Sequence, residues 1–267
     1  MAPATAAIFR CAYALPALGL LAWLEDRRFG PRPMRGRWPA IPAGAFFAAD
    51  LIFWHYAIDD VGAGLATVLG NLQVVIVPFA AWALLAERPA RRIVASLPLA
   101  CSGIVLISGV LETGAYGDNP VRGVVFGTFT GVLYAAFLLV LRHGTSDPRR
   151  VAGPLFDITA VATLVALGAG VALNEADLVP TWPDHAWLML LALTSQVLGW
   201  LLITLSLPRL PAALTSVTLT IQPVGSVLLG VVLLGEDPSL LQLAGVALIL
   251  AGLLSIVRRR APVPEPA

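Results

Sequence analysis

Apolar runs of about 18 to 25 residues, enough to cross a bilayer, recur along the chain. They fall at roughly 4–24, 39–58, 62–86, 92–110, 120–141, 152–173, 185–207, 210–234 and 238–257. Between them lie short stretches rich in Pro, Gly and charge, which suit tight antiparallel hairpins. The longest connections run from Glu25 to Trp38, Leu111 to Pro120 and Leu173 to Asp184, and none has room for a soluble domain. The pattern predicts an all-α polytopic membrane protein with about nine transmembrane helices.

The polar positions between the runs orient them. Alternate connections carry Arg27, Arg28, Arg32, Arg35 and Arg37; then Arg88, Arg91 and Arg92; Arg142, Arg149 and Arg150; Arg209; and finally Arg258 to Arg260. The other connections carry Arg122 alone, against Asp59, Asp60, Glu112, Asp118, Glu175, Asp177, Asp184, Glu236 and Asp237. Basic residues are retained on the cytoplasmic side, so the arginine-rich face is expected inside, with the C-terminus. The opening residues, with Arg10 as a basic n-region and CAYALPALGLLAWL as the apolar run after it, have the outline of a secretory signal. No small-x-small cleavage site follows, and five arginines lie directly downstream, so the stretch is read as a retained helix.

One stretch occurs twice. AGLATVLGNLQVVIVPFAAWALLAERP (63–89) aligns without a gap, 149 residues on, with AALTSVTLTIQPVGSVLLGVVLLGEDP (212–238), and nine of the 27 positions are identical. Apolar runs align readily, but a paired Gln (Gln73, Gln222) and a paired Glu-x-Pro (Glu87, Glu236) do not arise from composition alone. The same offset pairs Gly103 with Gly252. With the arginine-derived orientation, Glu87 ends its helix on the inner face and Glu236 on the outer. The copies therefore run in opposite senses, the signature of an inverted-topology repeat. The division expected is a first repeat over 1–115 with four helices, a second over 116–257 with five, and a cytoplasmic tail over 258–267. The first repeat shows no counterpart to the opening helix of the second.

Composition narrows the function. The chain is 58% hydrophobic and 12% charged, with net charge +1; a soluble domain carries about 25% charged residues. No basic aromatic patch points to nucleic acid. Every basic residue is Arg, which removes a Schiff-base or P-loop lysine. Cys11 and Cys101 sit in apolar runs without metal-ligand spacing and read as buried small hydrophobes. No HExxH, GxSxG, GxxxxGK[ST] or CxxC occurs, so neither an enzyme nor a cofactor is expected.

The duplicated helices ending in Glu87-Arg88-Pro89 and Glu236-Asp237-Pro238 resemble the drug/metabolite transporter superfamily, specifically the EamA-type permeases. So do the glycine-bearing helices that follow them, LPLACSGIVLISG ending at Gly109 and LAGVALILAGLLSIV with Gly245 and Gly252. GVLYAAFLLVLR (131–142) is similar to the first helix of a family repeat, with Tyr134-Ala135 where Trp-Ala is usual. Pro3-x6-Arg10 is similar to the second helix of the first repeat. The resemblance spans essentially the whole chain. It implies two inverted five-helix halves, of which this sequence lacks the first helix, and a secondary transporter, an exporter of a small organic metabolite, in the plasma (inner) membrane.

Polar residues at bilayer depth are functional candidates because lipid penalises them. Arg10 reads either as an anion contact or as a snorkelling side chain held by carbonyls. Asp50 and Trp54, at i and i+4, share a face, and Asp50 reads either as a cavity group or as a structural partner of Arg10. His55 projects about 140° from Asp50 and reads as a member of an interfacial aromatic belt. Asp157, near Arg149 and Arg150, reads as a boundary residue. Thr67 and Asn71 share one face, as do their counterparts Ser216 and Thr220. Small polar residues serve as interhelical glue or as site lining, and the symmetry of Gln73 and Gln222 favours a structural role at the repeat interface. Pro78 and Pro223 are read as helix breaks that free carbonyls there. Trp54, Tyr134 and Trp200 offer aromatic walls or belt packing. The substrate-binding set expected is Arg10, Asp50, Trp54, Asn71, Gln73, Tyr134, Trp200, Thr220 and Gln222. The partners expected are a small-molecule metabolite and the lipid bilayer; an exposed flank where a first helix would pack makes a homodimer a further expectation. A second reading is a non-transporting membrane protein that acts as a helix-packing partner.

Overall fold

The computed structural model describes residues 1–86, 88–144, 149–206 and 212–257. Helix α1 spans Pro3–Phe29, α2 Ala40–Gly70, α3 Gln73–Leu85, α4 Arg91–Ile107 and α5 Pro120–Gly144. Helix α6 spans Ala152–Ala172. Helix α7 (Asp184–Leu191) continues through a π-helical stretch, Ala192–Gly199, into α8 (Trp200–Ser206). Helix α9 (Ala212–Leu229) ends in a π-helical turn, Gly230–Leu234, and α10 spans Leu240–Val257. No strand occurs among the described residues. Five of the helical stretches are long and apolar enough to cross a membrane, and three shorter apolar ones accompany them. The protein is an all-α polytopic membrane protein.

Helices α1 and α6, and α4 and α10, pair antiparallel across the two repeats. Helices α4 and α10 meet where side chains vanish. A Cβ on Gly103 would stand 2.6 Å from the Gly245 carbonyl oxygen, and one on Gly245 would stand 2.7 Å from that of Gly103. The offset of 149 carries Gly103 to Gly252 and Gly245 back to Ser96. That second pair also touches: a Cβ on Gly252 would lie 3.5 Å from the Ser96 carbonyl oxygen. A contact and its symmetry mate are both present, as a twofold axis between inverted copies requires.

Helix α2 is two helices joined at Gly62. Residues before it run along α5 from Phe137, met by Phe47, to Arg122, met by Asp60. Residues after it run back past Gly127, met by Leu69, and Gly131, met by Gln73. Gly62, at φ 81° and ψ 165°, leaves helical space, a conformation open to glycine and strained for other residues. The helix restarts at Ala63, and its freed N–H groups are met from the other repeat. The Glu236 carboxylate accepts Ala63 N–H at 2.5 Å and Gly64 N–H at 3.0 Å. An anion at a helix N-terminus completes donors that the helix itself cannot satisfy. Its duplicate, Glu87, lies outside the described residues.

The duplicated stretch, expected as one helix broken at Pro78, is interrupted elsewhere. Leu72 N–H bonds Leu69 O and Val74 N–H bonds Asn71 O, so the ladder tightens to i→i+3 at Asn71–Leu72. Pro78 and Pro223 both lie inside continuous helices. A proline removes one donor and one carbonyl's partner, and a helix buttressed by neighbours tolerates that loss.

Charge gathers at the two ends of the bundle. On the arginine-rich face Arg32 pairs with Asp157 at 2.9 Å and Arg150 with Asp26 at 3.0 Å. Asp157 is thus a boundary residue, but its partner is Arg32 rather than Arg149 or Arg150. On the acidic face Arg122 takes Asp60 through Nε at 2.8 Å and Nη2 at 2.5 Å. Gln242, fully buried, ties α10 to the loop before α5: its Oε1 accepts Tyr116 N–H at 2.9 Å and its Nε2 donates to Tyr116 O at 3.0 Å.

Candidate functional site

A cavity of about 270 Å³ opens between the repeats. The first repeat contributes Arg10 from α1, Asp50, Trp54, Thr67 and Gly70 from α2, the junction residue Asn71, and Gln73 from α3. The second contributes Thr130 and Tyr134 from α5, Ser195 and Gly199 from the π-helical stretch, Trp200 from α8 and Gln222 from α9. Eight of the nine residues expected to bind substrate therefore line one space. The ninth, Thr220, has a side chain outside the described residues.

The two charges enter from neighbouring helices. Arg10 is buried; its Nη2 donates to Ser195 Oγ at 3.2 Å, and its guanidinium carbon lies 5.4 Å from the centre of the Trp54 ring. That contact is a cation–π arrangement. The Nε of Arg10 has no hydrogen-bond partner. Arg10 neither snorkels nor bonds carbonyls among the described residues. Asp50 is buried as well, and no ion pair joins it to Arg10 among the described residues. Asp50 and Arg10 therefore line the same cavity without a direct ion pair.

The polar wall comes from the interrupted helix. Thr67 Oγ1 donates to Ala63 O at 2.7 Å, and Asn71 Nδ2 donates to Thr67 O at 2.8 Å. The tight turn at Asn71–Leu72 sets Asn71 and Gln73 together on the cavity rather than on opposite sides of a straight rod. Gln73 reaches the Tyr134 hydroxyl, and its Oε1 has no partner. Both Gln73 and Gln222 border the cavity between the repeats, and Gln73 also reaches across to the second repeat.

The aromatic wall is a cluster. Tyr134 stacks on Phe137 at 5.8 Å and meets Trp200 edge-on at 6.2 Å, while Phe47 meets Trp200 at 6.0 Å. Such offset and edge contacts hold rings in fixed planes. His55 stays out of the site: its Nδ1 and Leu51 O are 2.7 Å apart, and its ring abuts Trp54.

Sequence reasoning passed over Phe47, Leu51, Gly70, Thr130, Ser195, Gly199 and Ile203 as members of the site; Thr67, left open between interhelical glue and site lining, does line it. Ser195 had a signal, a hydroxyl beside Gln196 in an apolar run. The π-helical stretch that turns it toward Arg10 leaves no mark in the apolar periodicity; such bulges often accompany functional sites.

No curated protein matches the chain. A solved crystal structure shares the fold with a TM-score of 0.63 at 20% identity, over 97% of this chain and 89% of that one. The profile of the EamA-like transporter family matches residues 1–109 and 121–258, each segment holding one copy of the duplicated stretch. The chain therefore belongs to the EamA-like transporter family.

Proposed function

We propose that this chain is a secondary transporter that exports a small organic metabolite across the plasma membrane. The observation that carries the reading is the cavity: its walls come from both inverted repeats, and it holds buried polar groups without protein partners. Sites at the interface of inverted repeats, lined by interrupted helices, suit alternating access, because rocking one half against the other exposes the same groups to each side in turn. The halves that rock are residues 1–115 and 116–257. The arginine bias favours the cytoplasm for the face bearing Arg32 and Arg150. The sequence holds no nucleotide-binding motif, so a gradient of solute or of protons drives the cycle.

The test is counterflow in proteoliposomes with the purified full-length chain, across a panel of amino acids, sugars and nucleosides. At least one solute should exchange faster than in protein-free vesicles, and Arg10→Ala should reduce that flux. Flux unchanged in Arg10→Ala removes Arg10 from the site, and no flux for any solute sinks the reading.

A further inference from the structure

The arginine-rich end of α1 separates two kinds of arginine. Arg32 and Arg150 turn into the bundle, where they take Asp157 and Asp26. Glu25 is held by three backbone N–H groups of Val151, Ala152 and Gly153. Each carboxylate described at this face is thus engaged. Arg27, Arg28 and Arg35 are exposed and enter no ion pair among the described residues.

The surroundings of these exposed arginines are apolar rather than acidic. Leu20, Trp23, Leu24, Arg27 and Arg28 recur at helical spacing along one outward stripe of α1. The first three are 58%, 48% and 48% exposed. The Arg27 guanidinium carbon lies 3.9 Å from the centre of the Trp23 ring, and that of Arg28 lies 5.4 Å from the centre of the Phe29 ring. A guanidinium laid on a ring keeps its edge N–H groups free for an oxyanion. From Leu20 to Arg28 the stripe rises about 12 Å at 1.5 Å per residue, passing from leucine through indole to charge. None of these residues lines the cavity.

We propose that this stripe seats one anionic phospholipid, with its phosphate at Arg27 and Arg28 and an acyl chain along Leu24 and Leu20. Trp23 stands between the two, at the level where indole rings collect in membranes. Arginine edges match phosphate oxygens in pairs. The headgroup carries net negative charge, because a choline group would bring a cation up to Arg28 and Arg35, whereas a glycerol group brings none. A free phosphate ion would use the arginines and leave the apolar stripe unused. A diffuse attraction between anionic lipid and basic loops would treat all the arginines of this face alike; a seat on α1 distinguishes among them.

The experiment is native mass spectrometry of the full-length protein, released from micelles holding equimolar phosphatidylglycerol and phosphatidylcholine with the same acyl chains. One phosphatidylglycerol should be retained at least about fivefold in excess of phosphatidylcholine, the factor that one arginine contributes at an anionic surface. Arg27→Gln should bring the two lipids near parity, and Trp23→Leu should lower the excess. Arg91→Gln is the control. It removes the same charge from an exposed position at the start of α4, and it should leave the excess unchanged. No excess on the unmodified protein, a comparison that needs no variant to fold, overturns the seat. So does an equal fall in Arg91→Gln, which would reduce the effect to surface potential. Displacement of the lipid by millimolar inorganic phosphate would also overturn it, by giving the arginines to a free anion.

Discussion

Glu25 and Glu175 make the same contact at opposite ends of the bundle. Glu25, in the last turn of α1, accepts the backbone N–H groups of Val151, Ala152 and Gly153 at the start of α6, at 2.8 to 2.9 Å. Glu175, just beyond α6, accepts Ala4 N–H at the start of α1 at 3.2 Å, and also takes the Tyr56 hydroxyl. Two antiparallel helices, one from each repeat, cap each other reciprocally. Glu236 does the same for the helix restarting at Ala63. Glu25→Ala should lower stability by about 1.5–3 kcal/mol, the range for hydrogen bonds to a charged group. Thermal unfolding in detergent checks this, and an unchanged midpoint would show that water replaces the carboxylate without loss.

Glu236→Gln keeps the shape but weakens the cap, whereas Gly62→Ala attacks the same corner from the backbone. A Cβ on Gly62 would sit 2.7 Å from the Glu236 carboxyl carbon, at a φ of 81°. Both variants should therefore destabilise, Gly62→Ala by more than about 1 kcal/mol from left-handed strain alone. Their double variant should lose less than the sum, because one contact is removed twice.

Gly103→Ala should cost about 1–3 kcal/mol, as overpacking does, because the new methyl would stand 2.6 Å from both Gly245 O and Ile249 Cγ1. Gly168→Ala is the control. Nothing lies within 4 Å of its Cβ position, so it should gain roughly 0.5–1 kcal/mol from helix propensity. Unfolding midpoints that move in the same direction for both would contradict close packing of α4 on α10.

Sidedness is open to labelling. With Cys11 and Cys101 replaced by Ala, Met34→Cys and Val179→Cys place single thiols at positions 75% and 69% exposed. An impermeant maleimide applied to intact cells should modify Val179→Cys alone. Modification of Met34→Cys alone would reverse the orientation inferred from the arginines.

Much of this architecture is written in the chain's hydrophobicity. Lipid forces each span to be both apolar and helical, so the runs at 120–141 and 152–173 foreshadow α5 and α6 within a few residues. Arg10, Asp50 and Asn71 were legible as site candidates for the converse reason, since a polar group in such a run needs a cause. What escaped notice depends on backbone geometry. The turn at Asn71–Leu72 contains neither Gly nor Pro, while Pro78 and Pro223, the obvious breakers, sit in unbroken helices. Glu25 and Glu175 were hidden differently: a carboxylate at the end of an apolar run looks like ordinary solvated charge until its partner helix is in place.

The stretch from Ala63 to Gly70 is a strut about 12 Å long at 1.5 Å per residue, with a non-helical corner at Gly62 and a tightened turn at Asn71–Leu72. Thr67 lies along it and Asn71 at its tip, so the polar wall of the cavity is set by where the Gly62 corner and the Glu236 cap of the other repeat place this one short segment.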